Sequence, residues 1–364
     1  VKKLFLFLSF AVVAMAAERR AKNVVVFLGD AGGIPTLHAA SIHGYGAPGK
    51  LFLQQMPYMG LSETSPVGAW VADSAAGMTA IVTGHKTKNS VISQSAEAVP
   101  GKSDGAPLKT ILEYAEERGL STGVISNMSM ADATPAACYA HCNHRRKFAE
   151  IVAQIAKPRF GDGVDLVIGG GRKGIFEATE AAGYDFKKAL GEKGYAMYDR
   201  PEEIPAGAKR VVALFDERFD PQPVVKRAIE ILSRNPKGYF LMVEWDMHTD
   251  RIKQGLDQAV MLDKLVRQTA EQVNNKETLL LFTADHSFDL RVRGGKPGQP
   301  LLPETPAAEE GRSAVQMFNT HTAEEVLVAA MGPGAARVRG YMPNTQIFHI
   351  LMAAYGWKET PASK

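Results

Sequence analysis

Asn23–Asp30 reads NVVVFLGD, an apolar and largely β-branched run that stops abruptly at a glycine and an aspartate. It shows no alternation of apolar with polar residues, so both of its faces are suited to burial. That is the signature of a strand in a parallel sheet covered by helices on both sides. Comparable runs recur at Thr122–Ser126 (TGVIS), Val164–Ile168 (VDLVI), Arg210–Phe215 (RVVALF), Gly238–Val243 (GYFLMV) and Thr278–Phe282 (TLLLF). Segments with helical periodicity separate them, at Leu108–Arg118, Phe148–Ala156, Pro223–Ser233 and Gln254–Val273. The alternation predicts an α/β fold, a doubly wound, mostly parallel central sheet flanked by helices on both faces. No internal repeat interrupts it, and Gly294–Gly311 (GGKPGQPLLPETPAAEEG) reads as a long surface loop.

The chain of 364 residues is 45% hydrophobic and 22% charged, as expected of a globular protein with an ample core. Its first residues, VKKLFLFLSFAVVAMAAE, combine two lysines, a short apolar run and a small-x-small site at Ala14-Met15-Ala16. This predicts a signal peptide over residues 1–16, a single catalytic domain over 17–364, and a periplasmic or secreted protein with no membrane attachment after cleavage. Loss of Lys2 and Lys3 lowers the formal charge from +3 to +1, which gives no reason to expect a nucleic-acid partner. Cys138 and Cys142 are the only cysteines, so there is no disulfide framework; free thiols and a bond are equally open.

Ligands of open α/β sheets collect at the carboxyl ends of the strands. Asp30 follows the first run, Glu244 the fifth, and Asp285-His286 the sixth. In LMVEWDMHTD, Glu244, Asp246 and His248 alternate and would share one face if the strand continued, an oxygen and nitrogen set suited to a divalent metal. Asp285 and His286 could reach one ion at a strand-to-loop turn. His321, in NTHTAEEVLVAA, precedes another expected strand and by itself reads as structural. In SMADATPAACYAHCNHRRK, Thr134 before Pro135 reads as a helix cap, and Arg145, about three turns on if the helix persists, could fork onto a phosphate. Gly169-Gly170-Gly171 lacks nucleotide-binding spacing and reads as a tight turn. In VADSAAGMTAIVTGHK, Asp73-Ser74 is either a plain helix cap or presents Ser74 as a nucleophile at a helix N-terminus.

Taken in order, GD after the first strand, DSAAGMTA, DATPA…AHCNHR, GGGRK, VE…D.H, TADH and HT resemble the alkaline phosphatases, from Asp30 to about Gly334. The resemblance implies hydrolysis of phosphate monoesters through a phosphoserine on Ser74, with two zinc ions and one magnesium. It makes Asp246, His248 and His321 the ligands of one zinc, with Asp250 as the alternative carboxylate. Asp30, Asp285 and His286 become those of the other zinc. Asp30, Thr134 and Glu244 fall to magnesium with Asp132 behind them, and Arg145 becomes the phosphate clamp. The expected partners are small phosphate monoesters and inorganic phosphate, with a homodimer allowed.

The sequence departs from the family pattern in three places: Ala31 replaces the usual glycine, the Glu244-to-His248 interval is shortened, and Met247 stands where Lys or His is frequent. The last change could leave Trp245 to fill the space. The short stretch between His286 and His321 implies a reduced or absent crown insertion. The alternatives are a phosphodiesterase of the same superfamily, which typically lacks the third metal, or a metal-binding pseudoenzyme. A sulfatase lacks its C/S-x-P-x-R signature here, and a serine hydrolase its G-x-S-x-G elbow.

Overall fold

The computed structural model describes residues 19–302 and 314–358; the leader expected at 1–16 lies outside the described residues. In chain order the strands are β1 (Asn23–Asp30), β2 (Tyr58–Ser62), β3 (Ser121–Ser129), β4 (Leu166–Gly170), β5 (Ala196–Tyr198), β6 (Val211–Phe215), β7 (Tyr239–Asp246), β8 (Thr278–Thr283), β9 (Ser287–Val292), β10 (Val315–Thr322), β11 (Val326–Met331) and β12 (Gly340–Met342). Ten of them form one sheet in the order β12-β2-β11-β8-β1-β7-β3-β4-β6-β5. Every pairing in it is parallel except those of β11, which runs antiparallel to β8 and β2.

The two-sided burial expected of NVVVFL is what the sheet delivers. Val24, Val26 and Leu28 enter one apolar cluster, while Val25 and Phe27 enter the other. Helices α1 (Ile34–Tyr45), α8 (Pro221–Leu232) and α9 (Ile252–Gln272) cover the Val25–Phe27 face. The opposite face is covered by α2 (Ser74–Thr83), α3 (Ile111–Glu117), α4 (Ala133–Ala136), α5 (Phe148–Ala156), α6 (Arg172–Ala181), α7 (Phe186–Glu192) and α10 (Thr345–Tyr355). The fold is therefore the doubly wound, mostly parallel sandwich expected from the alternating runs.

Between His286 and His321 the described residues form a single antiparallel pair, β9 with β10, whose register shifts between Met317 and His321. The described part of the insertion is this two-stranded ribbon, and part of the loop expected at Gly294–Gly311 lies outside the described residues. Among the described residues no helix is long and apolar enough to cross a membrane. Cys138 and Cys142 are both free and buried. They do not share a helix, because α4 ends at Ala136 and Cys142 bridges backbone to backbone with Ile92.

Candidate active site

Parallel strands deliver the acidic residues to one edge. In the ladder of β1 with β7, Leu28 stands beside Glu244 and Asp30 beside Asp246. One strand over, β8 ends at Thr283, and the turn into β9 carries Asp285 and His286. The ribbon then returns His321, paired with Phe288, to the same place. Residues far apart in sequence meet because each lies at a strand's carboxyl end.

Two groups of metal-ligating atoms result. Ligand atoms of His248, His286 and His321 lie within 4.8 Å of one another, as do those of Asp30, Asp285 and His286. His248 Nε2 is 3.3 Å from His321 Nε2, and His286 Nε2 is 3.3 Å from Asp30 Oδ1. The rings of His286 and His321 stack at 3.8 Å between centroids. Asp246 stands behind the first group, its Oδ1 2.7 Å from His248 Nδ1 and accepting the His248 backbone N–H at 3.0 Å. Asp250 is exposed to solvent, whereas Asp246 is held at His248.

Among the described residues, several buried oxygens here have no hydrogen-bond partner, Glu244 Oε1, Thr134 Oγ1 and Asp285 Oδ2, while Asp30 Oδ1 faces the His286 and His248 rings at 3.3 and 3.8 Å. Leaving such groups bare costs about 1–3 kcal/mol each, more for charges, so their concentration at one edge fits bound cations. Charge crowding tells the same story. Burial pushes the Glu244 carboxyl well up, and the Asp30 charge adds to it. Burial and Asp30 raise Asp285 to about 6. Burial would lower His248, but Asp30 and Asp246 carry it to about 9. Burial with His286 lowers His321 to about 4. Asp30 itself is held well below the usual carboxylate range, the histidine and arginine charges overcoming its burial.

Ser74 opens α2. Asp73 caps that helix, its side chain accepting from Ala76 N at 3.0 Å, and Ser74 Oγ lies 3.2 Å from His286 Nε2. Asp73 thus caps the helix while Ser74 faces His286. The small residues after Ser74 also let α2 approach the sheet: a Cβ on Gly77 would stand 2.5 Å from the Asp285 carbonyl oxygen. Arg145 projects between two carboxylates, Nη2 donating to Asp132 Oδ1 at 2.8 Å and Nη1 to Asp73 Oδ2 at 3.3 Å. Burial opposes its charge, yet Asp132 and Asp73 more than restore it, so the guanidinium remains a cation.

Several local expectations are corrected. The cap of α4 is Asp132, whose side chain accepts from Ala133 N, and Thr134 sits inside the turn. Arg145 is not on that helix; its backbone N–H donates instead to the Ser90 carbonyl at 2.8 Å. β7 ends at Asp246, so His248 reaches the site from a turn rather than along a shared strand face. Met247 is fully buried, and a Cβ on Gly29 or Gly32 would fall about 2 Å from its methyl, so it fills the gap those glycines leave. Trp245 does not take up space near a phosphate either; it packs in the core against Phe219 and bonds Gln258. The three glycines form no separate turn: Gly169 and Gly170 end β4, and only Gly171, at φ +83° before α6, leaves the strand, where a Cβ would meet Ser129 Oγ at 2.2 Å. Ala31 adopts φ +61°, a left-handed conformation that explains why glycine would suit the position. No motif marks the Ala72 carbonyl, which lies 3.0 Å from His321 Nδ1 and orients that ring.

A family model described as alkaline phosphatase matches residues 21–195 and 216–318. The chain belongs to the alkaline phosphatase family. Its membership makes it a metal-dependent hydrolase acting on phosphate esters. An alkaline phosphatase of Gadus morhua is 29% identical over 342 residues, covering 77% of this chain and 72% of that protein. The tissue-nonspecific alkaline phosphatase of Homo sapiens is 26% identical, covering 92% and 83%. The fold matches the alkaline phosphatase of the Antarctic bacterium TAB5 with a TM-score of 0.76 at 22% identity, over 94% of this chain and 100% of that one. It matches that of Thermus thermophilus with a TM-score of 0.79 at 21% identity, over 94% and 93%.

Proposed function

We propose that this alkaline phosphatase hydrolyses small phosphate monoesters through a phosphoserine on Ser74, with zinc at two sites and magnesium at a third. The observation that carries the reading is the placement of Ser74 Oγ, 3.2 Å from His286 Nε2, on the same helix cap that holds Arg145. His248 and His321, with Asp246, would hold one zinc. Asp30, Asp285 and His286 would hold the other. Magnesium would take the bare oxygens of Glu244 and Thr134 together with Asp30, with Asp132 behind. Bound there, the cations neutralise the phosphate dianion and lower the pKa of groups they touch.

The chain's own residues then divide the work. Arg145 offers its remaining N–H groups to the nonbridging oxygens, and the two carboxylates behind it keep the fork in one orientation. The α2 N-terminus adds partial positive charge on the same side. Ser74 loses its proton to solvent and attacks phosphorus; the Oγ–P bond forms as the ester P–O bond breaks, and the leaving alkoxide takes a proton from water. A second water then attacks phosphorus, the Oγ–P bond breaks, and inorganic phosphate and free Ser74 result. His286, fully buried, lies against Ser74 on that side.

The test is hydrolysis of an aryl phosphate monoester and the matching diester at alkaline pH, before chelation, after it, and after restoring zinc with magnesium. Monoester preference that vanishes with the chelator and returns with the metals supports the proposal. Diester preference would move the assignment to a phosphodiesterase, and inactivity with metals bound to a pseudoenzyme.

A further inference from the structure

Two adjacent side chains outside every motif that marks the site, Ser126 and Asn127, lie where β3 runs beside the end of β7. The parallel ladder of β3 with β7 continues as far as Ser126 beside Glu244. Immediately after, the register of β3 against β4 shifts between Ser126 and Ser129. That irregularity takes Asn127 out of the ladder. Its side-chain oxygen accepts the Asp246 backbone N–H at 2.8 Å, replacing the main-chain bond the ladder no longer supplies.

Ser126 is fully buried, and its hydroxyl has no freedom in how it bonds. The Met128 backbone N–H, which can only donate, reaches Ser126 Oγ at 2.8 Å. The single hydroxyl proton is therefore left for Glu244 Oε2, the other partner of Ser126 Oγ. With Oε2 engaged, the bare oxygen of Glu244 is Oε1. On the far side of β7 the strand is held by β1, with Asp30 beside Asp246 and Met247 N donating to the Asp30 carbonyl at 2.9 Å. The abbreviated interval from Glu244 to His248 is thus clamped from both neighbours, by main chain on one side and by two side chains on the other.

We propose that Ser126 and Asn127 are positioning residues that aim the two β7 carboxylates at separate metal ions, Ser126 turning Glu244 Oε1 toward the magnesium site and Asn127 fixing Asp246 behind His248 at one zinc site. This rests on the reading of Glu244 and Asp246 as metal-site residues. Such outer partners typically change metal affinity by about 10–100-fold when removed. The two substitutions should separate, because each side chain serves a different carboxylate.

The experiment is calorimetric titration of magnesium into the zinc-loaded full chain, with zinc content and affinity measured in parallel. Ser126→Ala should weaken magnesium binding by about 10–100-fold and leave zinc binding unchanged. Ser126→Thr, which keeps the hydroxyl and suits a strand, should restore it. Asn127→Ala should show the reverse pattern, weakening one of two zinc ions while magnesium affinity stays near that of the unsubstituted chain. Should Ser126→Ala fail to fold, Ser126→Cys, with its weaker donor, is measured instead, and wild-type magnesium affinity in it overturns the proposal. Wild-type affinities in both alanine variants, or equal losses at both sites, also overturn it. If the unsubstituted chain itself binds no third ion, the metal reading falls with it, an outcome distinct from unchanged affinities in the variants.

Discussion

Asp73 and Arg145 are joined twice. The Asp73 carboxylate that caps the helix opened by Ser74 also accepts from Arg145 Nη1 at 3.3 Å. Ser90 closes a second route: its N–H donates to Asp73 Oδ2 at 2.8 Å, and its carbonyl accepts the Arg145 backbone N–H at 2.8 Å. Ser90 manages both bonds by adopting φ +71°, in the left-handed region that most side chains avoid. Ser74 and Arg145 are consequently tied to each other through Asp73 and Ser90.

Asp73→Ala removes a helix cap and strands the Ser90 N–H, and should cost about 1–2 kcal/mol of unfolding free energy. Urea denaturation of the metal-free chain reads this directly. Asp73→Asn, which can still cap, should recover most of it. An alanine variant as stable as the parent would contradict the double role.

Ser74→Ala should abolish the acid-trappable phosphoserine and nearly all turnover while zinc content stays at the parent level, since Asp30, Asp285 and His286 remain grouped beside the lost hydroxyl. Mass spectrometry of a low-pH quench locates the phosphate. Its recovery on another serine would remove Ser74 from its assigned role.

Arg145→Lys keeps the charge but loses the planar fork that Asp73 and Asp132 orient. Charge-assisted hydrogen bonds of this kind are worth about 1.5–3 kcal/mol, so inhibition by inorganic phosphate should weaken by about ten- to a hundredfold. Unchanged phosphate inhibition would show that the clamp lies elsewhere.

Gly77→Ala sets two effects against each other. In a free helix the change gains about 1 kcal/mol. Here the new methyl would sit 2.5 Å from a backbone oxygen of Asp285, and overpacking of that kind costs about 1–3 kcal/mol. The clash should win, lowering Tm and displacing Ser74 from His286, so activity should fall more than stability does. A raised Tm would mean the helix has room to move.

Away from the site, burial raises Glu116 to about 8 and Asp165 to about 6, with Gly163 N–H and Thr122 N–H respectively opposing the shift. Both groups hold their proton more tightly folded than unfolded. Their contribution to stability is therefore full below the ordinary carboxylate range and is lost as pH rises toward about 8. Glu116→Gln should flatten the decline in metal-free stability between pH 5 and 8, as followed by denaturant midpoints at a series of pH values. An identical slope in parent and variant would exclude Glu116 as its source.

The central strands were legible because their apolar runs are continuous, and Asp30, Glu244, Asp285 and His286 were legible because they terminate those runs. The outer strands were not: β5 and β12 are each 3 residues long, too short to carry a pattern, and β2 exposes Met59 and Leu61 at the sheet margin. Helical spacing misplaced Arg145 because local turns run only to Ala140, after which Cys142 N bonds the Ile92 carbonyl and Arg145 N the Ser90 carbonyl, links no local periodicity encodes. Ser126 and Glu244 lie 118 positions apart. A serine inside an apolar run gives no hint of the carboxylate it will meet.

The sheet order carries a consequence for how the chain comes into being. β1 lies between β7 and β8, so Val24 finds its neighbours only at Phe240 and Leu279. During synthesis the first strand must wait, unpaired and greasy, until most of the polypeptide has emerged. Such late, non-local pairing slows folding and leaves NVVVFL open to association with other nascent chains. The segment best suited to the centre of the finished molecule is also the one in greatest need of protection before the molecule is finished.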